Sequence, residues 1–323
     1  LKRLPEHVDY EPGVKGEDLT RRVPELDPDV IVVRSNKVPA PTLKAGKGLR
    51  LVIRAGSGFD TIDVATASQL GIMVANCPGR NAVAVAELTL GLILALDRRI
   101  PENVIDARAR VWNKQLYSKS ALGLKGLTLG IVGAGTIGSE VARRALAFDM
   151  SVLYFNLGRT RRLTDFPQAR RVEIDDLLRG SDVVSIHVPG GENTRNLIDA
   201  RRIGLLKPGA LLINTARADV IDEGALFAAL REGRIRGAAV DVFSGEPAAD
   251  ARTFDAPACD VPNLYVTHHI GASTMQAQLA VAEDVVRIVE EFKRTGKAPN
   301  CVNMRSPADS VMLVLRLVNR PGS

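Results

Sequence analysis

The residues of this chain that could do chemistry gather at the ends of short apolar runs. Gly133-Ala134-Gly135-Thr136-Ile137-Gly138 spells G-x-G-x-x-G between a run ending at Val132 and a helix-like stretch beginning near Ser139. In that context the first glycine makes a tight turn and the second admits the backbone to a pyrophosphate. The third lets helix pack on strand, and the helix N-terminus favours the anion. An ordinary strand-to-helix turn needs neither the second glycine nor the third. Three more segments follow later apolar runs: Asn214-Thr215-Ala216-Arg217, then Asp241 through Glu246-Pro247, then His268-His269 through Thr274. An arginine, a glutamate and a histidine at successive strand ends suit hydride transfer on a 2-hydroxy acid. Arg217 binds the carboxylate and polarises the C2 oxygen. A histidine accepts the hydroxyl proton, while Glu246 orients it and stabilises its imidazolium form. Taken singly, these are a surface cation, a turn acid and a satisfied histidine; their joint placement argues against coincidence.

One position departs from the dinucleotide pattern. An Asp or Glu ordinarily follows the second strand and binds the adenosine ribose. Here that strand is Val152–Phe155, and the next residue is Asn156, followed by Arg159, Arg161 and Arg162. A missing carboxylate removes repulsion against a 2′-phosphate, which guanidinium groups bind in bidentate fashion. The alternative is that Asn156 bonds the ribose of NAD and the arginines are solvated. The expected cofactor is NAD, with NADP possible.

The elements that position these groups follow from hydrophobic patterning. Val30–Val33, Leu51–Ile53 and Ile72–Val74 are short β-rich runs, with a helical stretch between the last two. From Leu127 onward, apolar runs recur at 127–132, 152–155, 183–187, 210–214, 237–241 and 264–267, alternating with helix-like stretches. Six strands alternating with helices predict a doubly wound parallel sheet. Ala82 to Asp97 is apolar almost all round, so it is expected to be buried or at a subunit interface, with Glu87 needing a partner or a wet face. Met275 to Thr295 reads as one amphipathic helix with Val281, Val285, Ile288, Val289 and Phe292 on its apolar stripe. A helix there can carry the chain back to the first lobe. The expected organisation is α/β: a Rossmann-type doubly wound sheet at 79–274, inserted in a smaller flavodoxin-like α/β domain built from 1–78 and 275–303.

Length and composition bound the rest. The 323 residues exceed what one core usually organises. With 46% hydrophobic and 25% charged residues the chain is typical of globular proteins, and only 4% aromatic content leans towards α/β layers. The longest uncharged apolar run, Leu88 to Leu96, falls well short of the ~20 residues of a membrane span. Three scattered cysteines suit a reducing, cytoplasmic setting and no cysteine-rich metal site. The net charge of +6 is spread along the chain, which suits a small anionic substrate better than nucleic acid.

Together these segments resemble the D-isomer-specific 2-hydroxyacid dehydrogenases over nearly the whole chain. The resemblance identifies Arg217, Glu246 and His269 as catalytic, choosing His269 over His268 because it directly precedes Ile-Gly-Ala-Ser-Thr. For the cofactor it implies Gly133, Gly135, Thr136, Ile137, Gly138, Asn156, Arg159, the segment His187-Val188-Pro189, Thr215, Ala216, Asp241 and Gly271. Within that set, Asp241 matches the residue that meets the nicotinamide carboxamide. For substrate anions it implies Arg34, Ser35, Gly56, Ser57 and Asn81, with Lys114 a weaker match; no metal is expected. Those loops look like the branch that oxidises 3-phospho-D-glycerate to 3-phosphohydroxypyruvate on the way to serine. They imply a substrate held between two lobes and a homodimer or homotetramer. An NADP-dependent hydroxypyruvate or glyoxylate reductase is the alternative, and a nicotinamide-sensing corepressor of the same fold is a further one. Ala218 stands where the family usually has Gly, and His268 where it usually has Pro. The absence of an initiator Met, and a tail at 304–323 that resembles the first strand and turn of an ACT regulatory domain, lead us to expect a piece of a longer chain.

Overall fold

The computed structural model describes residues 7–158, 163, 165–247 and 251–304. Arg159, Arg161, Arg162 and the ACT-like tail from 305 onward lie outside the described residues. The chain divides into two compact units. The small one comprises residues up to Arg80 together with those from Leu279 onward; the large one, Asn81–Gln278, interrupts it.

In the small unit, helices α1 (Glu17–Leu26), α2 (Ala40–Ala45) and α3 (Val64–Gln69) alternate with strands β1 (Val30–Val33), β2 (Leu51–Arg54) and β3 (Met73–Asn76). The strands pair in parallel in the order β1-β2-β3. Three strands in that order establish a small parallel α/β sheet and no more specific a fold. Asp63 starts α3 by accepting the Thr66 amide, relieving one of the unpaired N–H groups of a helix start. One face of the sheet packs on the connecting helices; the other meets the returning helix, whose Val285, Ile288 and Phe292 bury against Leu51, Ile53 and Ala75.

The large unit opens with three helices, α4 (Ala82–Arg98), α5 (Ile100–Arg108) and α6 (Lys114–Ser120). It continues as β4 (Thr128–Val132), α7 (Thr136–Ala147), β5 (Ser151–Phe155), β6 (Arg170–Arg171), α8 (Ile174–Gly180) and β7 (Val183–Ile186). After these come α9 (Ala200–Ile203), β8 (Leu211–Asn214), α10 (Glu223–Arg231), β9 (Gly237–Val240) and β10 (Leu264–Val266). Helix α11 (Met275–Thr295) then crosses the division between the units. The seven strands are all parallel in the order β10-β9-β8-β7-β4-β5-β6. This is the doubly wound Rossmann order, with its switch point between β4 and β7. Strands β7, β8 and β9 are buried at every residue, as covering helices on both faces require, and separate cores lie on the two sides.

The structure adds to the expected pattern at two points. It has a seventh strand, β6, made of two exposed arginines; two polar residues carry no alternation by which to foresee a strand. Helix α7 begins at Thr136, inside the glycine motif, three residues before the apolar pattern suggests. Helix α4 is indeed buried on most of its surface, and Glu87 has both a wet face and a partner, Arg144, at 3.3 Å. Among the described residues no helix is long and apolar enough to cross a membrane.

Candidate active site

The G-x-G-x-x-G segment forms the turn from β4 into α7. Gly133 has φ +103°, and a side chain there would collide with the main chain of His187, so glycine is required twice over. A side chain at Gly138 would strike the Gly133 carbonyl, which fixes how closely α7 approaches the turn. A side chain at Gly135 would meet nothing. That open space before the first turn of α7 fits a pyrophosphate, which the backbone amides and dipole at a helix start favour.

Asn156, just past β5, takes part in this turn directly: its Oδ1 accepts the Ala134 amide at 2.6 Å. The side-chain oxygen is thereby committed to the protein. No carboxylate stands at positions 156–158, and Arg171 from β6 donates to the Gly158 carbonyl at 3.0 Å. Past β7, His187 makes a 2.8 Å hydrogen bond to Ser185 through Nε2, while its Nδ1 is cut off from solvent. Burial holds the imidazole well below its usual value of 6.5, so it is neutral.

The catalytic candidates stand past β8, β9 and β10. The Asn214 side chain shapes the first loop, accepting the Ala216 amide and donating to the Arg217 carbonyl. Arg217 donates to the Ala216 carbonyl, and Gly190, beyond β7, packs where any side chain would meet the Arg217 stem. Ala218 opens a short 3-10 turn and is not among the residues of positive φ, so the backbone accepts alanine where the family usually has glycine. Thr215 is anchored from α4: Thr89 donates to Val85, so the 3.1 Å contact between the two threonine hydroxyls has Thr215 as donor.

His269 and Glu246 form the centre. Nδ1 of His269 lies 2.8 Å from Glu246 Oε2, and Glu246 Oε1 accepts the Phe243 amide. This bond places the proton on Nδ1 and leaves Nε2 for the reacting proton. The hydrogen bond to Glu246 raises the pKa of His269 and outweighs the desolvation that opposes it. Burial pushes the Glu246 carboxyl up, but its bond to His269 and the charges around it bring it below the usual value. The Arg217 charge bears on both groups, so the three lie within electrostatic reach of one another. His268 instead turns to Phe254, edge to face at 5.8 Å.

Asp241 is almost wholly buried, and its carboxylate accepts three hydrogen bonds: from Thr267 Oγ1 at 2.6 Å, Ile270 N at 2.9 Å and Gly271 N at 2.8 Å. Between those donors His269 has φ +52°, a left-handed backbone that costs a non-glycine residue about 1–2 kcal/mol. The family resemblance assigns Asp241 to the cofactor; among the described residues, the three donors to its carboxylate lie in the loop that carries His269, and its amide donates to the Asn214 carbonyl at 2.9 Å.

The substrate-anion candidates divide between the units. Arg34 and Ser35 are exposed just past β1. Past β2, Gly56 is buried, and Ser57 donates to the Cys77 carbonyl at 3.2 Å. Sequence reading passed over Arg54, whose guanidinium occupies the space a side chain at 56 would need; its place inside an apolar run hid it. Thr89 and Thr267 were missed likewise, since a lone threonine carries no motif. In the large unit Asn81 sits at the N-cap position of α4 without a side-chain capping bond, and Lys114 begins α6. Lys114 lines a cavity of about 850 Å³ with Arg98, Asp106, Trp112 and Tyr117, and none of Arg217, Glu246 and His269 lines it.

Known proteins match this arrangement. Residues 90–271 match the model of the D-isomer specific 2-hydroxyacid dehydrogenase, NAD binding domain. A hydroxypyruvate reductase of Thermotoga maritima is 41% identical over 282 residues, 87% of this chain and 88% of that protein. A D-3-phosphoglycerate dehydrogenase of Methanocaldococcus jannaschii is 37% identical over 299 residues, 92% of this chain but 55% of that longer protein. Among solved structures, an acyclic imino acid reductase in complex with NADPH and D-Arg superposes with a TM-score of 0.78 at 27% identity, covering 88% of each chain. The glycine turn, the strand-end trio and these matches agree: the chain belongs to the D-isomer specific 2-hydroxyacid dehydrogenase family and is an NAD(P)-dependent oxidoreductase of that family.

Proposed function

We propose that this enzyme reduces a small unphosphorylated 2-oxo acid to the corresponding 2-hydroxy acid: hydroxypyruvate to D-glycerate, or glyoxylate to glycolate. The carrying observation is the Glu246–His269 pair, whose raised pKa keeps the imidazole protonated nearer neutrality, the state that gives a proton to a carbonyl oxygen. The greater identity to a hydroxypyruvate reductase than to a phosphoglycerate dehydrogenase supports the choice of acid. A bound nicotinamide supplies the hydride in reduction and takes it in oxidation. Arg217 holds the carboxylate and draws electron density from the C2 oxygen, and His269 delivers its proton to that oxygen. Glu246 keeps the ring oriented throughout. Gly133 to Gly138, Asn156, Thr215 and Ala216 hold the dinucleotide, and Arg34, Ser35, Gly56, Ser57 and Asn81 are assigned to the substrate's polar groups. Asn156 presents no charge against a 2′-phosphate, so NADPH is accepted as well as NADH.

Oxidation of 3-phospho-D-glycerate is the second reading, favoured by the exposed Arg34 and by the match to a phosphoglycerate dehydrogenase. Comparing kcat/KM for hydroxypyruvate, glyoxylate and 3-phosphohydroxypyruvate, each with NADH and NADPH, separates the two. The unphosphorylated acids should be preferred, and preference for the phosphorylated one would replace our reading with the second. The homo-oligomer implied by the family resemblance is assigned to the face of α5 and α6. There α5 buries no residue, Trp112 is 87% exposed, and Ile105 of α5 and Leu116 of α6 are exposed as well. Trp112→Asp should reduce the sedimenting mass to that of one chain, and an unchanged mass would remove that face from the contact.

A further inference from the structure

We infer that Thr267 is a positioning residue for catalysis, acting through Asp241 to hold His269 in the backbone conformation from which its ring reaches Glu246. The Asp241 carboxylate gathers one donor from before His269, the Thr267 hydroxyl, and two from after it, the amides of Ile270 and Gly271. With positions 267, 270 and 271 fixed to one buried group, His268 and His269 must make the reversal between them, and His269 does so at φ +52°. An unconstrained histidine would relax out of that region. The neighbourhood is closed as well: a side chain at Gly271 would come within 3.0 Å of Asp241 Oδ2 and 3.3 Å of Val85 on α4. Main-chain bonds fix the loop's two ends, the Thr267 amide donating to the Val240 carbonyl at 2.9 Å and the Ser273 amide to the Ile270 carbonyl at 2.8 Å. The Thr267 hydroxyl is therefore the one side-chain donor in the clamp. At 2.6 Å it is also the shortest of its three bonds.

This rests on the reading of His269 as proton donor, and the experiment separates the two. Thr267→Val keeps the shape of the side chain and removes the hydroxyl; Thr267→Ser keeps the hydroxyl. With hydroxypyruvate and reduced nicotinamide, Thr267→Val should lower kcat about tenfold, equivalent to about 1.4 kcal/mol of barrier. KM for both substrates should stay within about twofold. In the ligand-free protein, NMR titration of the His269 ring should show its pKa falling back towards 6.5 as the bond to Glu246 loosens. Thr267→Ser should restore both readings. Should Thr267→Val melt below the assay temperature, Thr267→Ala is compared with Thr267→Ser in the same way. A hydroxyl-less variant with unchanged kcat and an unchanged His269 titration overturns the proposal, as does a Ser variant that loses as much as Val. His269→Ala is the control. If it keeps full activity, the proton-donor reading itself fails; if it is inactive while Thr267→Val is normal, only the clamp fails.

Discussion

Two strand ends of one sheet carry a histidine under opposite conditions. Past β7, His187 bonds a serine hydroxyl, has no carboxylate partner among the described residues and is held neutral by burial. Past β10, His269 has a side chain 55% exposed and pairs with Glu246 at 2.8 Å, which raises its pKa. The same ring is a fixed part beneath the glycine turn in one place and a proton carrier in the other. What separates them is the partner: a neutral hydroxyl cannot stabilise an imidazolium that desolvation opposes, whereas a carboxylate can.

The largest test of this contrast removes the carrier. His269→Ala should lower kcat by about 10²–10⁴-fold, the usual weight of a positioned acid or base. His268→Ala, which loses only its edge contact with Phe254, should change kcat far less. Steady-state rates that reverse this order would move the proton to His268. A smaller effect is expected at the glycine turn. Asn156→Asp keeps an oxygen for the Ala134 amide but adds a charge, so kcat/KM with NADPH should fall about tenfold or more relative to NADH. An unchanged cofactor ratio would show that position 156 does not meet the adenosine end. The smallest effect concerns stability. Because the His187 pKa is depressed in the fold, the unfolded chain binds the extra proton as pH falls below 6.5, and stability is lost in that direction. His187→Gln should flatten the fall in denaturation midpoint below pH 6.5, by at most one proton's slope, about 1.4 kcal/mol per pH unit. An equal fall in both proteins would mean that His187 titrates normally.

The sequence carried much of this, and unevenly. Parallel strands buried on both faces read as continuous apolar runs, so the sheet and its strand ends were legible, and α11 runs over Met275–Thr295 as its stripe predicts. The glycine motif was legible because Gly133 and Gly138 meet steric demands that only glycine satisfies. Thr267, Thr89 and Arg54 were not legible: their roles depend on which residues of distant segments fold against them, and a single hydroxyl or guanidinium has no spacing to read. Asn156 lay between. Its identity raised the question of the cofactor, but only the fold shows its oxygen already engaged by the Ala134 amide.

The pairing of Glu246 with His269 is tested most directly by the pH dependence of kcat/KM for hydroxypyruvate reduction in the natural enzyme and in Glu246→Gln. The proton donor must be charged, and its pKa is raised in the fold, so activity should persist above pH 6.5 and be lost as pH rises through that raised value. Glu246→Gln keeps a hydrogen-bond acceptor and removes the charge, so the alkaline limb should move to lower pH. A limb at the same pH in both enzymes would contradict the account.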